Sequence, residues 1–320
     1  TGYTNTTNAA SCTAWSTCAA GTEQTAAGTA STNTVCASCP AGTYCAGGTT
    51  PKATCSGGTS DHDSNSATPC VSTWTPSSLT SSLWFDAADA STITHSGGSV
   101  SEWRDKSGNA RHAQQLTTAS QPVYTAGAQN GNGILSFDGS NDRLTVGVTS
   151  VFAAGNADFA IVAAYKAKSA PSSYGCFFGN YPAGNLELMF AGITGAYITP
   201  WGVWNGVAID SDNGSYTQNA TWLISFVRTS GSTVSFTNGL QKNTVANTTS
   251  VYWSSNPSSV WSIGSNTSGN ELATMDLYEI ICVDGTLSGT NRERLEGYLA
   301  HKWGLSGNLP VGHPYKTSAP

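Results

Sequence analysis

Asp276 and Glu279, in the run TMDLYEI, are the nearest this sequence comes to a carboxylate pair able to act on a glycosidic bond. That hydrolysis needs two carboxyl groups about 5 to 9 Å apart across the bond. One strand aims two side chains into the same cleft only when they are an even number of residues apart, and these two are offset by three. They are therefore expected to face opposite sides of a strand. Glu187, in NLELMF, stands alone. Neither G-x-S-x-G nor H-E-x-x-H occurs, and the five His are scattered at 62, 95, 112, 301 and 313. No catalytic residue is assigned, and the protein is not expected to be an enzyme.

Oxygen ligands are more plentiful. Asp138, Asn141 and Asp142 in SFDGSNDRL could serve calcium, as could Asp86, Asp89 and Asp105, although carboxylates in Gly-rich turns more often bond their own backbone. Asp61-His62-Asp63 could touch a divalent ion, but a solvated loop is the simpler reading. No cofactor is required; calcium is the one ion these turns would admit.

The cysteines are concentrated. Seven of the nine, Cys12, Cys18, Cys36, Cys39, Cys45, Cys55 and Cys70, lie in the first 70 residues, leaving only Cys176 and Cys282 beyond. CASCPAGTYC, residues 36 to 45, could be a metal clamp, a redox pair or part of a staple. Zinc needs a second ligand pair at comparable spacing, and a redox pair needs to open a helix, whereas Cys39 runs into Pro40, Ala41 and Gly42. A segment with so little apolar bulk cannot hold itself together by burial, so disulfides are favoured, at least three within 12 to 70. That places the chain outside the cell or on a cell or virion surface.

Pyranose rings stack on aromatic faces and are oriented by a few polar groups. Tyr197, Trp201, Trp204 and Asn205 form one such cluster, and Tyr252, Trp253 and Asn256 another. With 10 Trp in the chain, most must simply be core. Asn5, Asn213, Asn219, Asn247 and Asn266 are N-glycosylation sequons, no more numerous than composition alone would produce.

Composition narrows the partners. Charged residues are 10% of the chain, against about 25% in ordinary soluble domains, while Ser and Thr number 84. A net charge of -6 without a basic stripe excludes nucleic acid as the main partner. No run of about 18 apolar residues is present to insert in a membrane. No charged, apolar leader is present either, so the chain is expected to be a mature form with its signal removed.

At 320 residues about two domains are expected. Residues 1–11 read as a polar arm, 12–70 as a disulfide-rich module and 71–82 as a Ser/Thr/Pro linker. From 83 to 287, runs such as GILSFDG, DFAIVAAYKA, ATWLISFVRT and TMDLYEIICVDG predict a two-sheet antiparallel jelly-roll sandwich. Asn238-Gly239 predicts a tight hairpin. Thr290 and Glu293 predict a capping box opening a packed helix over 288–304. Leu295, Tyr298, Leu299 and Trp303 share its face, and residues 305–320 form a tail. The fold class is mostly β.

Two resemblances add to this. The stretch Cys18-Ala-Ala-Gly-Thr and residues 32–45 resembles the cysteine-rich repeats of ephrin-receptor-like and tumour-necrosis-factor-receptor-like extracellular modules. LWFDAADASTIT (83–94), VSEWRDKSGNARHA (100–113), GILSFDGSNDRLTV (133–146), TVSFTNGLQ (233–241), MDLYEIICVDGTLS (275–288) and residues 291–315 resemble the concanavalin A-like, laminin-G-like superfamily. That resemblance implies a curved sandwich whose concave face or rim loops bind sugars, sometimes with calcium. In its laminarinase-like branch the catalytic carboxylates lie in E-x-D-x-E, which is missing here. The expectation drawn from all this is a non-catalytic structural or adhesive subunit that assembles head-to-tail with copies of itself. The alternative is a lectin-like module for surface glycans.

Overall fold

The computed structural model describes residues 2, 13–40, 42–55, 59–60, 65–69, 71–72, 74–148, 150–153, 157–168, 174–180, 188–194, 201–204, 207–210, 219–246 and 260–320. They fall into two compact units, Thr1–Trp74 with Ser318–Pro320, and Thr75–Thr317.

In the first unit three antiparallel ribbons replace a core. They are β1 (Thr22–Ala26) with β2 (Val35–Ser38), β3 (Thr43–Tyr44) with β4 (Ala53–Thr54), and β5 (Thr59–Ser60) with β6 (Val71–Ser72). Among the described residues only Cys18, Thr43, Cys45 and Gly47 are buried, none with a large apolar side chain. Disulfides Cys18–Cys36 and Cys39–Cys45 hold it, and Cys55 is disulfide-bonded as well. The two thiols of the C-x-x-C are thus joined to different partners, which removes both the zinc and the redox readings. Cys12 and Cys70 lie outside the described residues.

The second unit is an antiparallel β-sandwich with one helix. Its strands are β7 (Ser81–Asp86), β8 (Ile93–Ser96), β9 (Ser99–Trp103), β10 (Ala113–Gln114), β11 (Val123–Gln129), β12 (Asn132–Asp138), β13 (Leu144–Val146), β14 (Phe159–Ala167), β15 (Tyr174–Asn180), β16 (Leu188–Thr194), β17 (Trp201–Trp204), β18 (Val207–Asp210), β19 (Thr221–Thr229), β20 (Ser232–Thr237), β21 (Leu240–Ala246), β22 (Trp261–Ile263) and β23 (Thr274–Asp284). One layer runs β21-β20-β19-β14-β23, with β12 and β7 sharing the far edge of β23. The other runs β18-β17-β16-β15-β22-β13-β10-β9. The layers join at a rim where β9 pairs β11 and β11 pairs β12. Between them pack Trp103, Phe85, Trp261, Phe178, Tyr165 and Phe177, with ring centroids 5.0 Å apart for Phe85–Trp103 and 4.7 Å for Phe178–Trp261. The expected linker is shorter than 71–82: Val71–Ser72 is strand, Pro76–Ser78 is a 3-10 turn, and Ser81 already begins β7.

Helix α1 (Gly289–Lys302) covers the outer face of β14 and β19. This explains why β14 is apolar on both faces. Cross-strand partners share a face, so Val162 and Ala164 lie on the side of Ser225 and Glu279, both of which bond the helix. The helix falls within the expected 288–304, but its cap differs. Ser288, not Thr290, is its cap, its hydroxyl accepting from the Asn291 N–H, and Glu293 pairs with Arg292 instead. Both Ser and Thr are good capping residues, so the side chain alone does not choose between the two positions. The hairpin is as expected: Asn238 and Gly239 have φ of 51° and 77°, which joins β20 to β21 in a two-residue turn.

Candidate functional site

The carboxylate pair shows where strand counting failed. Glu279 pairs with Ala164 while Leu277 pairs with Tyr165, so Tyr278 is an extra residue, a bulge in β23. The bulge brings Asp276 and Glu279 onto the same face, contrary to the alternation rule applied to an unbroken strand. They still do not line one cleft. Asp276 accepts from the Ser136 hydroxyl at 2.6 Å and pairs with Lys168 at 2.8 Å. Glu279 is fully buried beneath α1 and accepts from Trp84 Nε1 (2.8 Å), Trp303 Nε1 (2.9 Å), Lys302 Nζ (2.7 Å) and the Tyr298 hydroxyl (3.2 Å). Burial pushes its carboxyl up, against the pull of Lys302 and the Trp84 indole. With every acceptor site filled and no solvent exposure, Glu279 cannot meet a glycosidic oxygen. It is a structural keystone. Glu187 lies outside the described residues.

The acidic turns are likewise occupied by protein donors. Asp86 pairs with Lys302 at 2.6 Å and Lys106 at 2.7 Å, and Asp89 with Lys106 at 2.9 Å. Asp105 accepts from the Trp84, Ser107 and Arg111 backbone N–H groups. Asp138 Oδ1 accepts from the backbone of Ser140, Asn141 and Asp142. Asn141 contributes its N–H to that turn. Among the described residues no group of three His, Cys, Asp or Glu could hold a metal ion. Asp61, His62 and Asp63 fall outside them.

Asp142 is 6% exposed, and burial, with the Asp138 charge beside it, pushes its carboxyl up from 3.8 to about 6. A raised value means that the folded state holds the proton more tightly than the unfolded chain. The stability from that proton is complete below about pH 4 and lost as pH rises through about 6. Asp142→Asn is therefore expected to stabilise the protein by about 1 to 2 kcal/mol at pH 7.5 and by almost nothing at pH 4. Urea unfolding at the two pH values checks it; equal effects at both would show that Asp142 ionises freely in the folded state.

Of the aromatic clusters, Trp201 and Trp204 are the ends of β17, paired through their backbones with Asp210 and Val207. Tyr197, Asn205, Tyr252, Trp253 and Asn256 lie outside the described residues. So do the sequons at Asn5, Asn213 and Asn247. Asn219 is exposed just before β19. Asn266 is buried, its side-chain oxygen accepting from the Asn270 N–H at 2.8 Å, so no glycan can be attached to it in the folded protein.

A concavity that neither aromatic cluster indicated lies over β10 and β13. β10 pairs with β13 so that Ala113 and Val146 point into the core, while Gln114 and Thr145, also partners, point outward. They floor a groove of about 510 Å³ walled by Ala110–His112 on one side and by Gln115, Leu116, Gly147 and Val148 on the others. Its polar groups are held in place. His112 Nδ1 accepts from the Asp105 N–H at 3.1 Å, which leaves the proton on Nε2 as a donor. Gln114 Nε2 donates to Glu102 at 3.0 Å, keeping its carbonyl oxygen available. Arg111 is pinned to the carbonyls of Ser82 and Val151, both at 2.9 Å. Leu116 is 88% exposed and offers an apolar patch. In the sequence the only sign of this site is the amide pair Gln114-Gln115 beside His112 and a solvent-facing Leu.

No protein-family model matches the chain, and no curated protein matches it. Solved structures do. Domain 4 of AbnA, a GH43 extracellular arabinanase from Geobacillus stearothermophilus, is similar at 13% identity over 60% of this chain and 92% of that one, TM-score 0.45. Trypanosoma rangeli sialidase in complex with sialic acid is similar at 16% identity over 73% and 35%, TM-score 0.49. The binding domain of botulinum neurotoxin serotype D is similar at 9% identity over 68% and 50%, TM-score 0.46. The chain thus spans about a third of the sialidase and half of the toxin structure. None of the three bears on what this chain binds.

Proposed function

We propose that the second unit is a non-catalytic carbohydrate-recognition module of an extracellular protein, with its ligand seated across β10 and β13. The observation that carries this is the groove itself: a fixed imidazole donor, an amide acceptor and a hydroxyl side by side, next to an exposed aliphatic surface. That mixture suits a sugar, whose hydroxyls need directional partners and whose C–H faces need apolar contact. None of the groove's lining residues named above is a carboxylate, which supports binding without cleavage. The staples of the first unit support an oxidising, extracellular setting. Among the described residues no helix is long and apolar enough to cross a membrane. Head-to-tail self-assembly, which rested on residues 1–11, finds no support among the described residues, of which only Gly2 belongs to that arm.

Titrating the full chain with soluble cello-, laminari- and chitohexaose tests the proposal. His112→Ala with Gln114→Ala is expected to weaken binding at least about tenfold, and reducing ends should not accumulate. Unchanged affinity in that variant, or turnover of any of the three saccharides, would sink it.

A further inference from the structure

The first unit holds an aromatic groove of its own. Trp15 lines a cavity of about 380 Å³ together with Thr17, Gln24, Gly28, Thr34 and Thr49. Its indole is held rigidly: Nε1 donates to the Thr29 carbonyl at 3.0 Å, and Gly28 lies against the pyrrole edge. A Cβ at Gly28 would come within 2.5 Å of Trp15 Cδ1, so only glycine permits this packing. Trp15 nevertheless remains 37% exposed. In a unit that buries no large apolar side chain among its described residues, a tryptophan is neither core nor needed for core.

The surrounding polar groups are unengaged. Among the described residues the side chains of Thr17, Gln24, Thr34 and Thr49 make no hydrogen bond, whereas neighbouring Ser16 and Asn33 are bonded to each other. The two walls are joined covalently. Gln24 is the cross-strand partner of Cys36, and Cys36 is bridged to Cys18, the residue after Thr17. The staple thereby fixes the distance between the Thr17 wall and the Gln24–Thr34 wall.

We infer that the Trp15 groove is a second carbohydrate-binding site, taking a hexopyranose ring on the indole with its hydroxyls directed to Gln24 and the three threonines. A rigid ring with a ready amide costs little to order on binding, which suits a weakly hydrophobic, hydroxyl-rich ligand. The site is independent of the sandwich groove.

The test is calorimetric titration of the full chain with cello-, laminari- and chitohexaose, each in wild type, Trp15→Ala, Trp15→Phe, Gln24→Ala and His112→Ala. Peptide mapping of Cys18–Cys36 and Cys39–Cys45 checks that each variant retains its staples. Trp15→Ala is expected to weaken one saccharide at least about tenfold, Gln24→Ala several-fold, and Trp15→Phe by less than about threefold, since Phe keeps a stacking face. Reduction of the disulfides should abolish this binding, and the loss caused by Trp15→Ala should be the same with and without His112→Ala. Lack of saturable binding to all three saccharides, or binding that Trp15→Ala leaves within about twofold, overturns the inference. Binding that falls in His112→Ala but not in Trp15→Ala overturns it too, while upholding the sandwich groove.

Discussion

Lys302→Met is expected to destabilise the second unit by about 3 to 5 kcal/mol, the cost of leaving buried charge without its partner. The lysine ends α1 and reaches two carboxylates, Asp86 of β7 at 2.6 Å and Glu279 of β23 at 2.7 Å. Glu279 is fully buried and Asp86 is 3% exposed. Methionine fills much the same volume, so the loss is of charge and hydrogen bonds more than of packing. The pH dependence separates this from a packing defect. Without the cation that opposes burial, the Glu279 carboxyl titrates higher still in the folded state than in the unfolded chain, so the variant should regain stability as pH falls and it protonates. Lys106→Met, which removes the more accessible partner of Asp86 and Asp89, should cost only about 1 kcal/mol. Urea unfolding at pH 7.5 and 5 measures both variants; a loss below about 1 kcal/mol for Lys302→Met would mean that water enters the cluster.

Cutting the staples is expected to unfold the first unit alone. Cys18–Cys36 closes a separation of 18 residues, and losing such a bridge costs about 3 kcal/mol in a unit whose described residues bury almost nothing to replace it. The second unit offers a reductant no bridge to cut, since Cys176 and Cys282 are free. Hydrogen exchange followed with and without reductant should show protection vanish from β1 to β4 and persist in β14 and β23. Retained protection in the reduced ribbons, or joint loss in both units, would contradict the picture of a core-less module.

Much of the sandwich was legible because its signals are local. The apolar run Phe159–Ala167, the alternation in Thr221–Thr229 and the Asn238-Gly239 turn each specify their structure within a few residues. The bulge at Tyr278 was not legible. It depends on how β23 meets β14, and neither glycine nor proline marks it. Glu279 was misread with it, because its four donors come from β7 and α1, as far as 195 residues away in sequence. The groove at β10 and β13 was hidden for a similar reason: Gln114 and Thr145 are ordinary polar residues until strand pairing sets them side by side. In the cysteine module the chemistry was legible and the pairing was not, since spacing alone cannot assign Cys36 to Cys18 and Cys39 to Cys45.

The two free cysteines have a kinetic use. Both are fully buried, Cys176 in β15 of one layer and Cys282 in β23 of the other, and burial pushes both thiols well above their ordinary range. A thiol in that state does not attack a labelling reagent, because the thiolate is the reacting species. Each therefore acts as a silent clock for its own layer. The rate at which Cys176 or Cys282 acquires a label in native buffer measures how often that layer opens, and a difference between the two rates would reveal which face of the sandwich breathes first.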